Sequence, residues 1–148
     1  MITTSCGFLA AYQRVLAQAV PVPVVTSSLL QCRTMTRPGI VTFDAAALHA
    51  QILSAAGVTA ATPVIGLAPG CELQQRIFNN DPQLDVVEAR KNVVDAALRL
   101  VALHPLVEDI VLECTNMPPY REAVVAATGR RVHDIETLLL ARWRNRLV

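Results

Sequence analysis

Two cysteines, Cys6 and Cys114, occupy equivalent places in this sequence of 148 residues. Each comes just after a short apolar or β-branched run and just before a segment with helical character. A thiol at such a junction meets the unpaired N–H groups and the positive dipole end of the helix, and both favour the thiolate. This position predicts that Cys6 and Cys114 are reactive thiols.

The residues that flank the two cysteines are small and polar. Ser5 and Gly7 surround the first thiol, and Thr115 and Asn116 follow the second. Their hydroxyl, amide and backbone N–H groups can hydrogen-bond a carboxylate or a developing enolate. Thr42 ends a further apolar run in the same way. We therefore predict the two cysteines as catalytic residues and these five as substrate-binding residues.

The other two cysteines, Cys32 and Cys71, lack this polar setting. A free cysteine is more often buried filler than a functional group, and we predict that role for both. The four cysteines are widely scattered, and no cysteine or histidine pair has the spacing of metal ligands. We therefore expect free thiols and no metal site.

The composition indicates an α/β protein. Apolar residues make up 53% of the chain and aromatic residues only 4%, so the apolar residues are mainly Ala, Val and Leu. Valine-rich buried strands covered by helices rich in Ala and Leu have this composition. The net charge of +1 argues against nucleic acid or a membrane surface as the partner. Without a secretory pattern or a run of about 20 apolar residues, we expect a cytoplasmic protein.

Hydrophobic periodicity and turn residues place the cysteines in a repeated β-α pattern. Strands are predicted at residues 2–5, 22–25, 40–43, 62–67, 110–112 and 131–133. Helices are predicted at 7–19, 29–35, 45–56, 84–104, 118–128 and 135–146, with a loop at 71–83. Repeated β-α units form mainly parallel sheets, which bind ligands at the carboxyl ends of their strands. The polar strand ends are therefore expected to lie together.

Several helices have predicted boundaries or faces. Asp44 is a suitable N-cap for the helix 45–56, and Gly57 and Gly129 are suitable residues directly after a helix end. His133 and Asp134 could form a proton relay, although Asp134 is more simply an N-cap. The first helix has an apolar face made of Leu9, Tyr12, Val15 and Leu16.

The segments around both cysteines resemble the two cysteine motifs of the aspartate/glutamate/hydantoin racemase superfamily. These segments are T-S-C-G-F at residues 4–8 and L-E-C-T-N-M-P-P-Y at residues 112–120. Residues 22–31, 39–48 and 132–138 are similar to the family as well, so the resemblance spans nearly the whole chain. It implies parallel-sheet, three-layer α/β lobes, each of which contributes one cysteine to a shared site.

The resemblance also implies a reaction. In this family one thiolate removes the proton from the carbon beside a carboxylate, and the other thiol protonates the opposite face, without a cofactor. Two identical groups can exchange the roles of acid and base for the two enantiomers. Cys6 and Cys114 would be this pair in a racemase or epimerase for a small carboxylate or hydantoin-like substrate. Related arylmalonate decarboxylases keep only the later cysteine, so the presence of both favours the racemase.

Two departures from the family leave alternatives open. Gly7-Phe8 and Thr115-Asn116 stand where glutamate racemases have Asn-Thr and Thr-His, so glutamate is not assigned as the substrate. A related lyase or isomerase, similar to maleate isomerase, would instead use Cys114 as a nucleophile. A third alternative is a non-catalytic remnant that binds a small anion or a partner chain.

The second departure is length, because family members usually carry several more strand-helix units before the first cysteine. We therefore expect a complete second lobe at residues 37–129 and a partial first lobe at 1–36, completed by 130–148. A partial lobe leaves apolar surface and strand edges uncovered. The expectation is a truncated chain that is a poor catalyst alone or that forms a homo-oligomer.

Overall fold

The computed structural model describes residues 1–145 and shows an α/β fold with parallel sheets, as the sequence predicts. A four-stranded sheet has the order β4-β3-β5-β6, and a separate two-stranded sheet pairs β1 with β2. Every pairing is parallel. The strands are β1 (Ile2–Thr3), β2 (Val24–Val25), β3 (Pro38–Thr42), β4 (Val64–Gly66), β5 (Asp109–Leu112) and β6 (Arg131–His133).

The larger sheet is buried because its central strands are apolar on both faces. In β3 and β5, Ile40 and Val111 point into one cluster of buried side chains, and Val41, Ile110 and Leu112 point into another. Continuous apolar runs of this kind are typical of parallel strands that are covered by helices on both sides. The parallel arrangement puts the carboxyl ends of β3 and β5 at the same edge, where Thr42 and Glu113 lie.

Helices cover both faces of this sheet. The α-helices are α1 (Gln13–Ala19), α2 (Ala50–Ala56), α3 (Glu72–Phe78), α4 (Val86–Leu103), α5 (Arg121–Thr128) and α6 (Ile135–Arg144). Three 3-10 helices connect them, at Gly7–Tyr12, Ser28–Thr34 and Pro118–Tyr120. Gly57 and Gly129 end α2 and α5 with φ angles of 74° and 65°, which confirms their predicted positions. None of the helices described here is long and apolar enough to cross a bilayer.

One helix prediction was wrong in its bounds, and one predicted loop contains a helix. The helix predicted at 45–56 begins only at Ala50, because the Asp44 carboxylate accepts from the Ala46 amide and stabilises a turn instead. The loop predicted at 71–83 contains α3, in which Leu73 is buried and Glu72 pairs with Arg76 at 2.8 Å. The turn residues that suggested a loop follow this helix rather than replace it.

The predicted helix 7–19 is split into a 3-10 helix and α1, and its apolar face is largely uncovered. Tyr12 and Val15 are 58% and 61% exposed. The helix α1 has no buried residue.

The division into two lobes stays a prediction, because the tail contributes to both parts of the structure. β6 pairs with β5 at the edge of the larger sheet. α6 packs instead against the smaller part, where Ile135 and Leu138 contact Val25 and Leu30. The predicted end of the last helix at Arg146 and the final residues 147–148 lie outside the described part of the chain.

Candidate active site

Cys6 is exposed and lies between β1 and the 3-10 helix Gly7–Tyr12. Its carbonyl oxygen accepts from the Leu9 amide at 3.1 Å, which begins the helical turn. The hydroxyl of Thr4 lies 2.6 Å from the Thr26 carbonyl oxygen and 3.1 Å from the Cys6 carbonyl oxygen. These contacts hold the first cysteine beside the end of β2.

Cys114 is half-buried and lies two residues beyond the end of β5. The Met117 amide donates to the Cys114 carbonyl oxygen at 3.0 Å, so a tight turn follows the strand. The amide nitrogen of Asn116 lies 3.8 Å from the Cys114 sulfur. The turn therefore presents Cys114, Thr115 and Asn116 in succession at the carboxyl edge of the sheet.

The two cysteine-bearing turns are in direct contact. The hydroxyl of Thr115 donates to the carbonyl oxygen of Ser5 at 2.6 Å, although the two residues are 110 positions apart. Charge on Cys6 is also among the influences that raise the pKa of Cys114. The structure thus brings the predicted residues at both turns to one place.

Gly7 connects the turns through close packing. A β-carbon at this position would lie 2.0 Å from Oε1 of Glu113 and 2.5 Å from its carbonyl oxygen. No side chain fits in this space, so the glycine is needed for the close approach of the two turns. Its predicted role in substrate binding stays a prediction.

Glu113 is a residue of this site that the sequence analysis did not assign. Its side chain is only 2% exposed, and its Oε2 atom accepts from the Thr42 hydroxyl at 2.9 Å. Burial raises the pKa of Glu113 to about 7, against the opposing effect of hydrogen bonds from Thr42 and the Phe43 amide. An acidic residue directly after a buried strand was the available signal.

The position of Glu113 also defines what Thr42 does. Thr42 is fully buried, and its hydroxyl proton is donated to the Glu113 carboxyl group. In this structure Thr42 therefore contacts the site through Glu113.

The environment of Cys114 contradicts the predicted lowering of its pKa. The pKa of this thiol is raised to about 11, chiefly by burial and also by the charges of Glu113 and Cys6, against the opposing effect of hydrogen bonds from Asn116. The 3-10 helix begins only at Pro118, so no helix N-terminus lies directly at the thiol. Cys114 is therefore the protonated thiol near neutral pH, which suits a proton donor.

A cleft of about 570 Å³ adjoins the Cys114 turn. Thr115, Asn116 and Tyr120 line one side, and Arg76 and Asn80 line the other. Neither cysteine lines it, and Arg76 is held by Glu72 and Asp81. The cleft offers polar groups beside the site for part of a small substrate.

The remaining candidates lie elsewhere. Cys32 is buried in the core, where burial raises its pKa to about 12, and Cys71 packs against the other core cluster. His133 pairs at 2.9 Å with Asp109, at the amino end of β5 and thus far from Cys114. Asp134 caps α6 as predicted. No group of three or more His, Cys, Asp or Glu residues within 1–145 could hold a metal ion.

The buried carboxyl group predicts an effect of pH on stability. The pKa of Glu113 rises on folding from 4.5 to about 7, so the neutral form stabilises the fold below pH 4.5 and this contribution is lost as the pH rises through 7. The free energy of unfolding should fall by about 3 kcal/mol over this pH range because of Glu113. In urea unfolding at a series of pH values, Glu113→Gln should lack this decline. Parallel curves for the variant and the original protein would contradict the prediction.

Comparison with known proteins gives two kinds of similarity, and no family model matches the chain. By sequence, the chain is 30% identical over 146 residues to dimethylsulfoniopropionate lyase of Durusdinium sp. clade D, covering 90% of this chain and 48% of the lyase. It is 31% identical over 155 residues to dimethylsulfoniopropionate lyase 6 of Emiliania huxleyi (strain CCMP1516), covering 90% and 39%. The chain thus spans about half or less of the length of these curated relatives.

By structure, the chain is similar to racemases. Glutamate racemase from Thermus thermophilus matches with a TM-score of 0.58 and 19% identity, covering 99% of this chain and 55% of the racemase. Allantoin racemase from Pseudomonas fluorescens matches with a TM-score of 0.57 and 23% identity, covering 86% and 55%. The chain therefore shares its α/β fold with about half of each of these two racemases, whereas the curated sequences that it resembles are dimethylsulfoniopropionate lyases.

Proposed function

We propose that the site at Cys6 and Cys114 removes the proton from the carbon next to the carboxylate of a small substrate. The hydrogen bond from Thr115 to the carbonyl oxygen of Ser5 carries this proposal, because it joins the two cysteine-bearing turns. Both candidate reactions, elimination and racemisation, begin with this proton transfer to a thiolate. Asn116 and the backbone of the two turns are the groups proposed to bind the substrate carboxylate.

Elimination is the first candidate, because two dimethylsulfoniopropionate lyases match this chain over nine tenths of its length. That compound carries a sulfonium group on the carbon next to the acidic one. When the thiolate takes the proton, the electron pair of the C–H bond forms a carbon–carbon double bond. As this double bond forms, the C–S bond breaks with its electron pair moving to sulfur, so the products are acrylate, dimethyl sulfide and the protonated thiol.

Racemisation is the second candidate, and the presence of two thiols at one site favours it. After the first thiolate has taken the proton, the second thiol returns one to the opposite face of the same carbon. Cys114, with a pKa of about 11, enters such a cycle as the proton donor. Elimination needs only the base, so a strict requirement for both thiols would point to racemisation.

A direct assay separates the candidates. The purified chain is incubated in deuterated water with dimethylsulfoniopropionate, and in parallel with a panel of chiral small carboxylates and allantoin. Dimethyl sulfide in the headspace together with equimolar acrylate supports elimination. Deuterium at the α-carbon with loss of optical activity, and no dimethyl sulfide, supports racemisation. A covalent adduct on Cys114 in intact-mass spectra would support the nucleophilic alternative, and the absence of all three outcomes contradicts a catalytic role.

A further inference from the structure

Glu113 is a buried acid without a partner of opposite charge. Its carboxyl group accepts a hydrogen bond from the Thr42 hydroxyl at 2.9 Å, and no ion pair within residues 1–145 includes it. Burying a carboxylate without a cation is costly. A glutamine has the same shape and an acceptor for the same donors, so packing alone does not explain an ionisable group here.

Two titratable thiols lie next to the groups that pack against Glu113. Gly7 packs against its Oε1 atom, with Cys6 next in the chain, and Cys114 follows Glu113 directly. The end of β3 contributes Thr42 and Phe43, neither of which titrates near neutral pH.

The other nearby polar groups are already engaged. The Ser28 hydroxyl donates to the carbonyl oxygen of Leu112 at 2.8 Å and contacts that of Glu113 at 3.4 Å. Asp44, the acidic residue just after β3, accepts at Oδ1 from the Ala46 amide. A change in the charge of Glu113 therefore acts chiefly on Cys114.

We propose that Glu113 is a positioning residue for proton transfer, whose buried carboxyl group controls whether Cys114 keeps or releases its proton. The proposal rests on the proposed function in one respect, namely that Cys114 is one of the two proton-transfer groups. Glu113 itself acts through Cys114 and through the packing of Gly7. The proposal goes beyond that function because it names the group that controls the protonation state of Cys114.

The control works through repulsion between like charges. Ionised Glu113 raises the pKa of Cys114, and neutral Glu113 removes this effect. Because the pKa of Glu113 is about 7, both of its forms exist near neutral pH. An anionic substrate favours the neutral form of Glu113 when it binds. In its neutral form Glu113 no longer adds to the repulsion that opposes the thiolate of Cys114.

The test measures the thiol itself and needs no substrate. The rate of alkylation of Cys114 by iodoacetamide is followed by peptide mass spectrometry from about pH 5 to about pH 10. Alkylation requires the thiolate, so the rate reports its population. Glu113→Gln should raise the rate at pH 8 by about 3- to 10-fold, since removal of one neighbouring charge shifts a pKa by up to about one unit. In the original protein, the logarithm of the alkylation rate should rise less steeply with pH near pH 7 than it does below and above, because Glu113 ionises there.

The matched control is Glu108→Gln, which removes an equal charge from an exposed side chain that pairs with Arg37 and Arg131. It should leave the Cys114 profile unchanged. Superimposed profiles for Glu113→Gln and the original protein would overturn the proposal. If Glu113→Gln fails to fold, the profile of the original protein decides alone. A logarithm of the alkylation rate that rises linearly with pH through pH 7 also overturns the proposal. The alkylation profile does not depend on turnover. The proposed control of Cys114 by Glu113 can therefore fail or hold independently of the proposed function.

Discussion

Replacing Cys114 by serine is expected to lower turnover by about 10²- to 10⁴-fold, the usual contribution of a positioned proton-transfer group. A serine hydroxyl at this place keeps the size of the side chain but neither ionises nor donates a proton in the same pH range. The hydrogen bond between Thr115 and Ser5 does not involve the thiol and should be kept. The measurement is the rate of product formation in the assay that the original chain passes.

The matching variant at Cys6 then distinguishes the reactions. Racemisation uses both thiols, so Cys6→Ser should be as damaging as Cys114→Ser. Elimination uses one base, so one of the two variants should keep most of its activity. Cys71→Ser is the control, because Cys71 lies outside the site and directly before α3, where serine is a favoured N-cap. Full activity in both site variants would contradict a catalytic role for either cysteine.

Replacing Gly7 by alanine is expected to separate the two cysteine-bearing turns. The new β-carbon would collide with the Glu113 carboxyl group and would lie 2.5 Å from its backbone carbonyl oxygen. Overpacking of this kind costs about 1–3 kcal/mol of stability. A displacement of about 1 Å at a reacting group can lower the rate about 10²-fold. We therefore expect Gly7→Ala to lose activity even under conditions in which the variant is fully folded.

Gly129→Ala provides the comparison for Gly7→Ala. Gly129 has a φ angle of 65° and no atom within 4 Å of an added β-carbon. Alanine there is strained by about 1–2 kcal/mol, but the change is remote from the cysteines. Both variants should unfold at lower urea concentrations, and only Gly7→Ala should lose activity under folding conditions. Equal activities would show that the close approach of Gly7 and Glu113 is not needed.

The sequence was sufficient for the parallel α/β fold and for the meeting of the two cysteine turns. Apolar runs such as Ile110–Leu112 within β5 have the length of buried strands, and polar residues directly after them lie at one edge of a parallel sheet. The pairing of Thr115 with Ser5 follows from that geometry, although its atoms could not be named in advance.

The features that the sequence did not predict depend on packing between distant segments. Glu113 is buried because Gly7 lies against it, and the pKa of Cys114 rises because the site excludes water there. The helix α3 was missed because the turn residues that follow it obscured a helix whose Leu73 is buried in the core. The apolar face around Val15 has helical spacing, but no element of the described structure is placed to cover it.

The central claim is that Cys6 and Cys114 belong to one site, and chemical cross-linking tests it most directly. The protein is treated with a short bifunctional maleimide under native conditions and digested, and the cysteine peptides are identified by mass spectrometry. A peptide containing Cys6 linked to one containing Cys114 within the same chain is the predicted product, and it should disappear when the protein is unfolded first. Separate modification of the two cysteines, with no such link in the native protein, would contradict the claim.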